Sequence, residues 1–184
     1  MAAFFTGARE GELLALNEKT DFKNNKFKIY KTVGRVRVFK SPTEYNYEIK
    51  VTTPKTKKSR RLAPINDVLA EELKQLKKLN ALEKLKAGPS YIDKGLLFPA
   101  ENGNYMDASN LLKQWKKALK ASGVEYKKFH ALRDTYASIL AKKGVSLAAL
   151  ASLLGHSTTK QTEKYVHVNK DTKFEEVQKL NDVL

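Results

Sequence analysis

The hydrophobic rhythm of the chain changes once, near residue 66, and that change limits the fold more than any other feature. Between residues 26 and 65, Phe27 and Ile29, then Val36 and Val38, then Tyr47, Ile49 and Val51 alternate with charged neighbours. A period of two belongs to half-buried antiparallel strands, so a small sheet is expected. Asn66 or Asp67 then caps a long helix with an apolar stripe of Val68, Leu69, Leu73, Leu76, Leu79, Leu82 and Leu85, closed by Gly88 and Pro89. A second helix starts near Ser109, with Leu111, Leu112, Trp115, Ala118 and Leu119 inward and Gly123 just past its end. Trp115 keeps the apolar register, which assigns it to the core rather than to base stacking. Ahead of the strands, Leu13, Leu14 and Leu16 form a short helical pattern with Arg9 at its entrance. The expected class is α+β, mainly α-helical with a small antiparallel β-sheet.

Charge narrows the partners. Thirty-five Lys and Arg against 20 Asp and Glu give a net charge of +15, which attracts a polyanion, with nucleic acid first. An anionic membrane is the competing partner, but no apolar run approaches the roughly 18 residues of a spanning helix, and no lipidation motif is present. No membrane partner is expected. With 184 residues, 41% of them hydrophobic, the chain fits one globular domain. The absence of cysteine excludes disulfides, thiolate catalysis and cysteine-ligated metal. Positive charge concentrates in PKTKKSRR, between a strand ending near Thr53 and one carrying Leu62 and Ile65. Taken alone, that segment reads as a solvated hairpin tip opened by Pro54.

All three histidines fall between His130 and His167. His130 and Arg133, three apart, share one helical face at a first turn, where free amides and the positive end of the dipole favour a phosphate. Ser146 caps the next helix, Leu147, Leu150, Leu153 and Leu154 bury it, and Gly155 stops it, so His156 stands on a backbone corner. Thr158 or Thr159 starts a third segment, which carries Tyr165. Phe174, Val177, Leu180 and Leu184 then space a short amphipathic helix. No HExxH or other close spacing supports a metal triad, and Ser138 and Ser152 lack a nucleophile elbow.

Five ordered motifs give these residues a common context. TGAREGELLAL around Arg9, PKTKKSRRLAPI around Lys55, HALRDTYAS around His130 and Arg133, LGHS around His156 and TEKYVHV around Tyr165 resemble the catalytic domain of the tyrosine recombinases, specifically phage and conjugative-transposon integrases. The resemblance implies transesterification at a phosphodiester of double-stranded DNA. In that chemistry Tyr165 is the nucleophile of a 3′-phosphotyrosyl intermediate, and Arg9 and Arg133 meet the phosphorane charge. Lys55 protonates the leaving 5′ oxygen, with Lys57 and Lys58 as alternatives in the same turn. His130 and His156 bond the phosphate or assist Tyr165, while His167 lies outside the set. Neither metal nor nucleotide cofactor is implied. Glu12 is expected to brace Arg9 or its helix. Asp134 departs from the histidine often found directly after the second arginine, which leaves the contact at that position open.

The resemblance further implies one catalytic domain over residues 1–184, without its first helices and its N-terminal core-binding domain; the apolar pair Phe4 and Phe5 at the very start fits that expectation. A homo-tetramer on paired DNA sites and a bacterial cytoplasmic location at the nucleoid are also implied. Two other readings of the same residues are a basic module that clamps DNA without cutting it and an enzyme like the type IB topoisomerases.

Overall fold

The computed structural model describes residues 1–54 and 56–165, with the side chain of Lys57 excepted. Two short helices open the chain, α1 (Ala2–Thr6) and α2 (Glu10–Leu14). Five strands follow: β1 (Phe22–Lys23), β2 (Lys26–Ile29), β3 (Thr32–Phe39), β4 (Tyr45–Thr52) and β5 (Arg61–Pro64). The remaining helices are α3 (Asp67–Ala87), α4 (Ala108–Ala121), α5 (Ala131–Lys142), α6 (Leu147–Leu154) and α7 (Lys160–Glu163). The expected α+β class holds.

The alternating region forms two sheets rather than one. β1, β2 and β5 make an antiparallel sheet, and β3 pairs with β4 as a separate hairpin. Asn24 and Asn25, both left-handed at φ 51° and 53°, form the two-residue turn from β1 to β2, a conformation that asparagine tolerates and that matches strand twist. In the first sheet, Phe27 and Ile29 face inward opposite Ala63 and Arg61. Among the described residues, the β3–β4 hairpin is anchored at its base, where Val33 packs with Leu14 and Ala15. Beyond that base every residue of β4 is exposed, so the expected half-burial of Tyr47, Ile49 and Val51 is corrected. Those aromatic positions instead carry arginines: Arg35 lies 4.2 Å from the Tyr47 ring and Arg37 4.7 Å from that of Tyr45.

The topology also corrects the reading of PKTKKSRR. Because β4 returns along β3 while β5 pairs with β2, this segment crosses between two sheets and is no hairpin tip. Inward parity in β5 falls on Arg61 and Ala63 and continues to Ile65, while Leu62 points to solvent.

The main core joins Leu13 and Leu16 of the first helical region to Phe27, Ile29, Ala63, Ile65, Leu69, Leu73 and Leu97, with Phe5 packed against it. Asn66 caps α3 by accepting from the Leu69 amide at 3.0 Å, and Leu69 and Leu73 are buried. Leu76 still packs partly buried against the core, and beyond it the stripe stops, since Leu79, Leu82 and Leu85 are exposed, as is Val68 at its start; sequence register is kept over a helix longer than the core it packs on. In α4, Leu119 is buried, but Leu112 and Ala118 are exposed, contrary to their expected inward placement. Trp115 is half-buried against Phe129, at a 5.7 Å ring separation, and its indole N–H donates to the Lys127 carbonyl. A second cluster of Ala137, Leu150, Leu154 and Tyr165 holds α5, α6 and the start of the last segment together. Among the described residues, no helix is long and apolar enough to cross a membrane.

Candidate active site

Arg133 is the floor of the site. It sits in the first turn of α5, 2% exposed, and reaches two helix ends. Its Nη1 donates to the Gly7 carbonyl at 2.6 Å, just past α1, and its Nη2 to the Leu154 carbonyl at 2.5 Å, the last residue of α6. Terminal helix carbonyls lack partners within their helix and carry the negative end of the dipole, so a buried guanidinium suits them. Only two of its five N–H donors are spent on these bonds. Burial, then Arg9 and Arg61, lower the Arg133 pKa to about 10, which leaves it cationic at neutral pH.

Arg9 approaches from the entrance of α2. Its backbone amide donates to Glu12 Oε2 at 2.8 Å and its Nη1 to Glu12 Oε1 at 3.0 Å, which closes the first turn as a capping box. The Arg9 side chain is 41% exposed and faces solvent beyond Glu12. Glu12 itself is buried and also takes both terminal nitrogens of Arg61, at 3.0 and 2.8 Å. The expected brace of Arg9 is therefore real, and it is shared with a second arginine. Arg61 Nε donates in turn to the Leu153 carbonyl at 2.8 Å, which ties β5 to α6. Burial raises the pKa of Glu12, but the bonds and charges of Arg61 and Arg9 outweigh it and hold the carboxyl below its ordinary range. Arg9, Arg61 and Arg133 set three positive charges against one carboxylate.

His156 enters on a left-handed residue. Gly155 has φ 67°, and a side chain there would meet Arg61 Nη1 at 3.0 Å and Ser59 Cα at 3.3 Å. Only glycine turns the chain this tightly beside the buried arginine. His156 Nδ1 lies 2.8 Å from the hydroxyl of Thr162, a fully buried residue of α7. Burial, followed by Arg133 and Arg9, pushes the imidazole pKa down to about 4, so the ring is neutral at neutral pH. An open groove of about 420 Å³ runs beside it, lined in part by Lys58, Arg60, Ser152 and Ser157. Lys58 Nζ donates to the Ser157 carbonyl at 3.0 Å.

Tyr165 closes the cluster from just past the end of α7. Its ring is 6% exposed among Ala137, Leu150 and Leu154, and its hydroxyl donates to Asp134 Oδ1 at 2.5 Å. Lys164 donates to the same oxygen at 3.1 Å and stands 4.6 Å from the ring centre. Burial, then the bond to Asp134, push the phenol pKa up. His130 occupies the N-cap position of α5, exposed, and does not cap with its side chain. Lys55, His167 and the predicted helix of Phe174, Val177, Leu180 and Leu184 lie outside the described residues.

The structure thus gathers Arg9, Arg133, His156 and Tyr165, with His130 at the rim of the same helix. It adds Arg61 and Asp134, whose roles the sequence reading missed. Arg61 was hidden in a lysine-rich run, although the two-residue parity from Ile65 through Ala63 leads to it. Asp134 carried no such signal, since its partner lies 31 residues away. Among the described residues, no group of three His, Asp or Glu side chains converges as metal ligands.

The helical scaffold, the two small sheets and this arginine-rich cluster match one class of protein. The chain belongs to the phage integrase family, whose model covers residues 1–172. It is 41% identical to a tyrosine recombinase XerC-like protein of Caldanaerobacter subterraneus subsp. tengcongensis, over 100% of this chain and 48% of that protein. An integrase of Staphylococcus phage L54a is 36% identical, over 97% of this chain and 49% of the relative. The chain therefore spans about half the length of these curated relatives. Among solved structures, the Tn1549 transposon integrase in complex with transposon right end DNA shares the fold with a TM-score of 0.72 at 24% identity, covering 98% of this chain and 57% of that one. The catalytic domain of bacteriophage HP1 integrase gives a TM-score of 0.55 at 21% identity, over 96% of this chain and 77% of that one.

Proposed function

We propose that this chain is a catalytic domain that cuts and rejoins double-stranded DNA through a 3′-phosphotyrosyl intermediate, as part of a site-specific recombinase or integrase. The observation that carries this reading is the convergence of Arg9, Arg133 and a neutral His156 beside Tyr165 in a chain of the phage integrase family. In the reaction Tyr165 Oη forms a bond to the scissile phosphorus, its proton leaves to a base, and the P–O5′ bond breaks. The free guanidinium donors of Arg9 and Arg133 take the non-bridging oxygens, a fixed array of donors where charge develops. With the Thr162 hydroxyl donating to Nδ1, His156 presents Nε2–H to the phosphate. Lys55 supplies a proton to the departing 5′ oxygen, and His130 contacts the phosphate from the start of α5. Rejoining reverses these bonds on a partner strand, so no external energy is consumed. This recombinase acts as a homo-tetramer on paired DNA sites, in the bacterial cytoplasm.

The test is a duplex nicked near the cleavage site, so that the freed 5′ fragment diffuses away. Wild type should give an SDS-stable protein–DNA adduct whose peptide maps to Tyr165, and Tyr165→Phe should give none. If intact protein at high concentration binds DNA in a salt-dependent way and never forms the adduct, the chain is a DNA clamp and the proposed chemistry is wrong for it. Relaxation of supercoiled plasmid without joining to a second site would mark a topoisomerase instead.

A further inference from the structure

We propose that Asp134 is a positioning residue that holds Tyr165 as a neutral, docked phenol, so that the nucleophile becomes reactive only when this contact is given up. The proposal rests on the assignment of Tyr165 as nucleophile and adds a residue that controls it. Arg133 and Asp134 are neighbours on α5, and successive helical side chains diverge by about 100°. Arg133 turns to the carbonyls of Gly7 and Leu154, while Asp134 turns to Tyr165. The two halves of the chemistry, phosphate binding and nucleophile control, are thereby split between adjacent positions of one turn.

The hydrogen bond does not prepare the phenol for attack. An ordinary carboxyl and an ordinary phenol differ by about 6 pKa units, and this pair is pushed further apart. Burial raises the Asp134 carboxyl, but its bonds from Tyr165 and Lys164 outweigh that and lower it, while burial and Asp134 raise the phenol. A proton therefore stays on Tyr165, and Asp134 is an acceptor without being a base. The charged groups around this pair are Lys164 from the end of α7 and Arg133 and His130 from α5. All of these are cationic or able to become so, and each would favour a phenolate. Among the described residues, Asp134 is the anion at this pair, and it shares Lys164 with the Tyr165 ring. Loss of the Asp134 contact removes the group that opposes ionisation and leaves the Lys164 ammonium, which already favours it, unopposed.

The experiment follows the Tyr165 ring carbon by NMR titration with labelled tyrosine, alongside single-turnover adduct formation on the nicked duplex. Asp134→Asn keeps an acceptor oxygen and removes the charge; Asp134→Glu keeps the charge. The Asn variant should lower the phenol midpoint by about one unit, and near neutral pH the adduct should form about tenfold faster, in step with the phenolate fraction. The Glu variant should keep the high midpoint, and it carries the test if the Asn variant fails to fold. An unchanged midpoint in the Asn variant overturns the proposal, as does a fallen midpoint in Glu. A fallen midpoint in Asn with slower adduct formation also overturns it, because Asp134 would then belong to the productive arrangement. If no protein forms an adduct, the recombinase reading fails, and the titration still decides whether Asp134 holds the phenol neutral.

Discussion

Glu12 and Arg61 stand 49 residues apart in sequence and meet as a two-point ion pair inside the molecule, with Nη1 on Oε1 at 3.0 Å and Nη2 on Oε2 at 2.8 Å. Both side chains are only 4% exposed. The pair fixes the entrance of α2, at Arg9, against the start of β5, where Arg61 lies beside the Gly155–His156 corner. Its energetic role follows from burial, since a charge left alone in such a place is far more costly than the pair itself.

Replacement of Glu12 by Ala should therefore destabilise the fold by about 3–5 kcal/mol, read by urea unfolding. A Glu12→Leu, Arg61→Met double variant should recover part of that loss, because Arg61 is no longer left as an unpaired buried charge, while Arg9 and Arg133 still lose the carboxylate. The carboxyl of Glu12 is held below its ordinary value of 4.5. Its contribution is thus fully present above that value and is lost as pH falls through the lower folded value. Glu12→Gln should flatten this acid limb; an acid limb identical to wild type would contradict the assignment.

His156 should remain neutral down to about pH 4 in the folded protein, against roughly 6.5 for a free histidine. Because the folded state binds this proton less readily, the associated stability is complete above the unfolded value and declines as pH falls from there towards the folded one. Proton NMR of the imidazole gives the midpoint directly. Addition of a phosphodiester should raise it, since an anion offsets the arginines that depress it.

Gly155→Ala should cost about 1–2 kcal/mol for the left-handed backbone alone. The added methyl group would also press on Arg61 and Ser59. Thermal unfolding should show the loss, and the His156 resonance should shift as the corner moves. An unchanged resonance with unchanged stability would mean that the turn does not set the histidine.

Along α3, Leu73→Ala should cost about 2–5 kcal/mol as a core truncation, whereas Leu85→Ala should stay within about 0.5 kcal/mol. Leu73 is 4% exposed and Leu85 is 78% exposed. Equal losses at the two positions would show that the distal half of the helix is covered in solution.

Much of this architecture follows from local chemistry. Ser146 and Gly155 bracket α6 because a hydroxyl cap and a left-handed stop act within a few residues. Asn66 starts α3 for the same reason, and the three-residue spacing of His130 and Arg133 puts both at the head of α5. Period-two alternation correctly called strands, and it could not say which strand pairs with which. Alternation reports a face, whereas pairing depends on contacts between distant segments. For that reason local alternation suggests a hairpin tip at PKTKKSRR and a half-buried β4, whereas the fold places the segment between two sheets and leaves β4 exposed.

By itself the sequence determined the helix limits, the strand rhythm, the positive charge and the ordered motifs that mark the phage integrase family. Tertiary structure alone decided that Arg61 is buried on Glu12, that Arg133 is spent partly on the carbonyls of Gly7 and Leu154, and that Asp134 holds the Tyr165 hydroxyl. The division has one physical cause. Caps and periodicity act over a single turn or strand and are written in neighbouring residues, while the charge, protonation and donors available at a site depend on groups that only packing brings within hydrogen-bond reach.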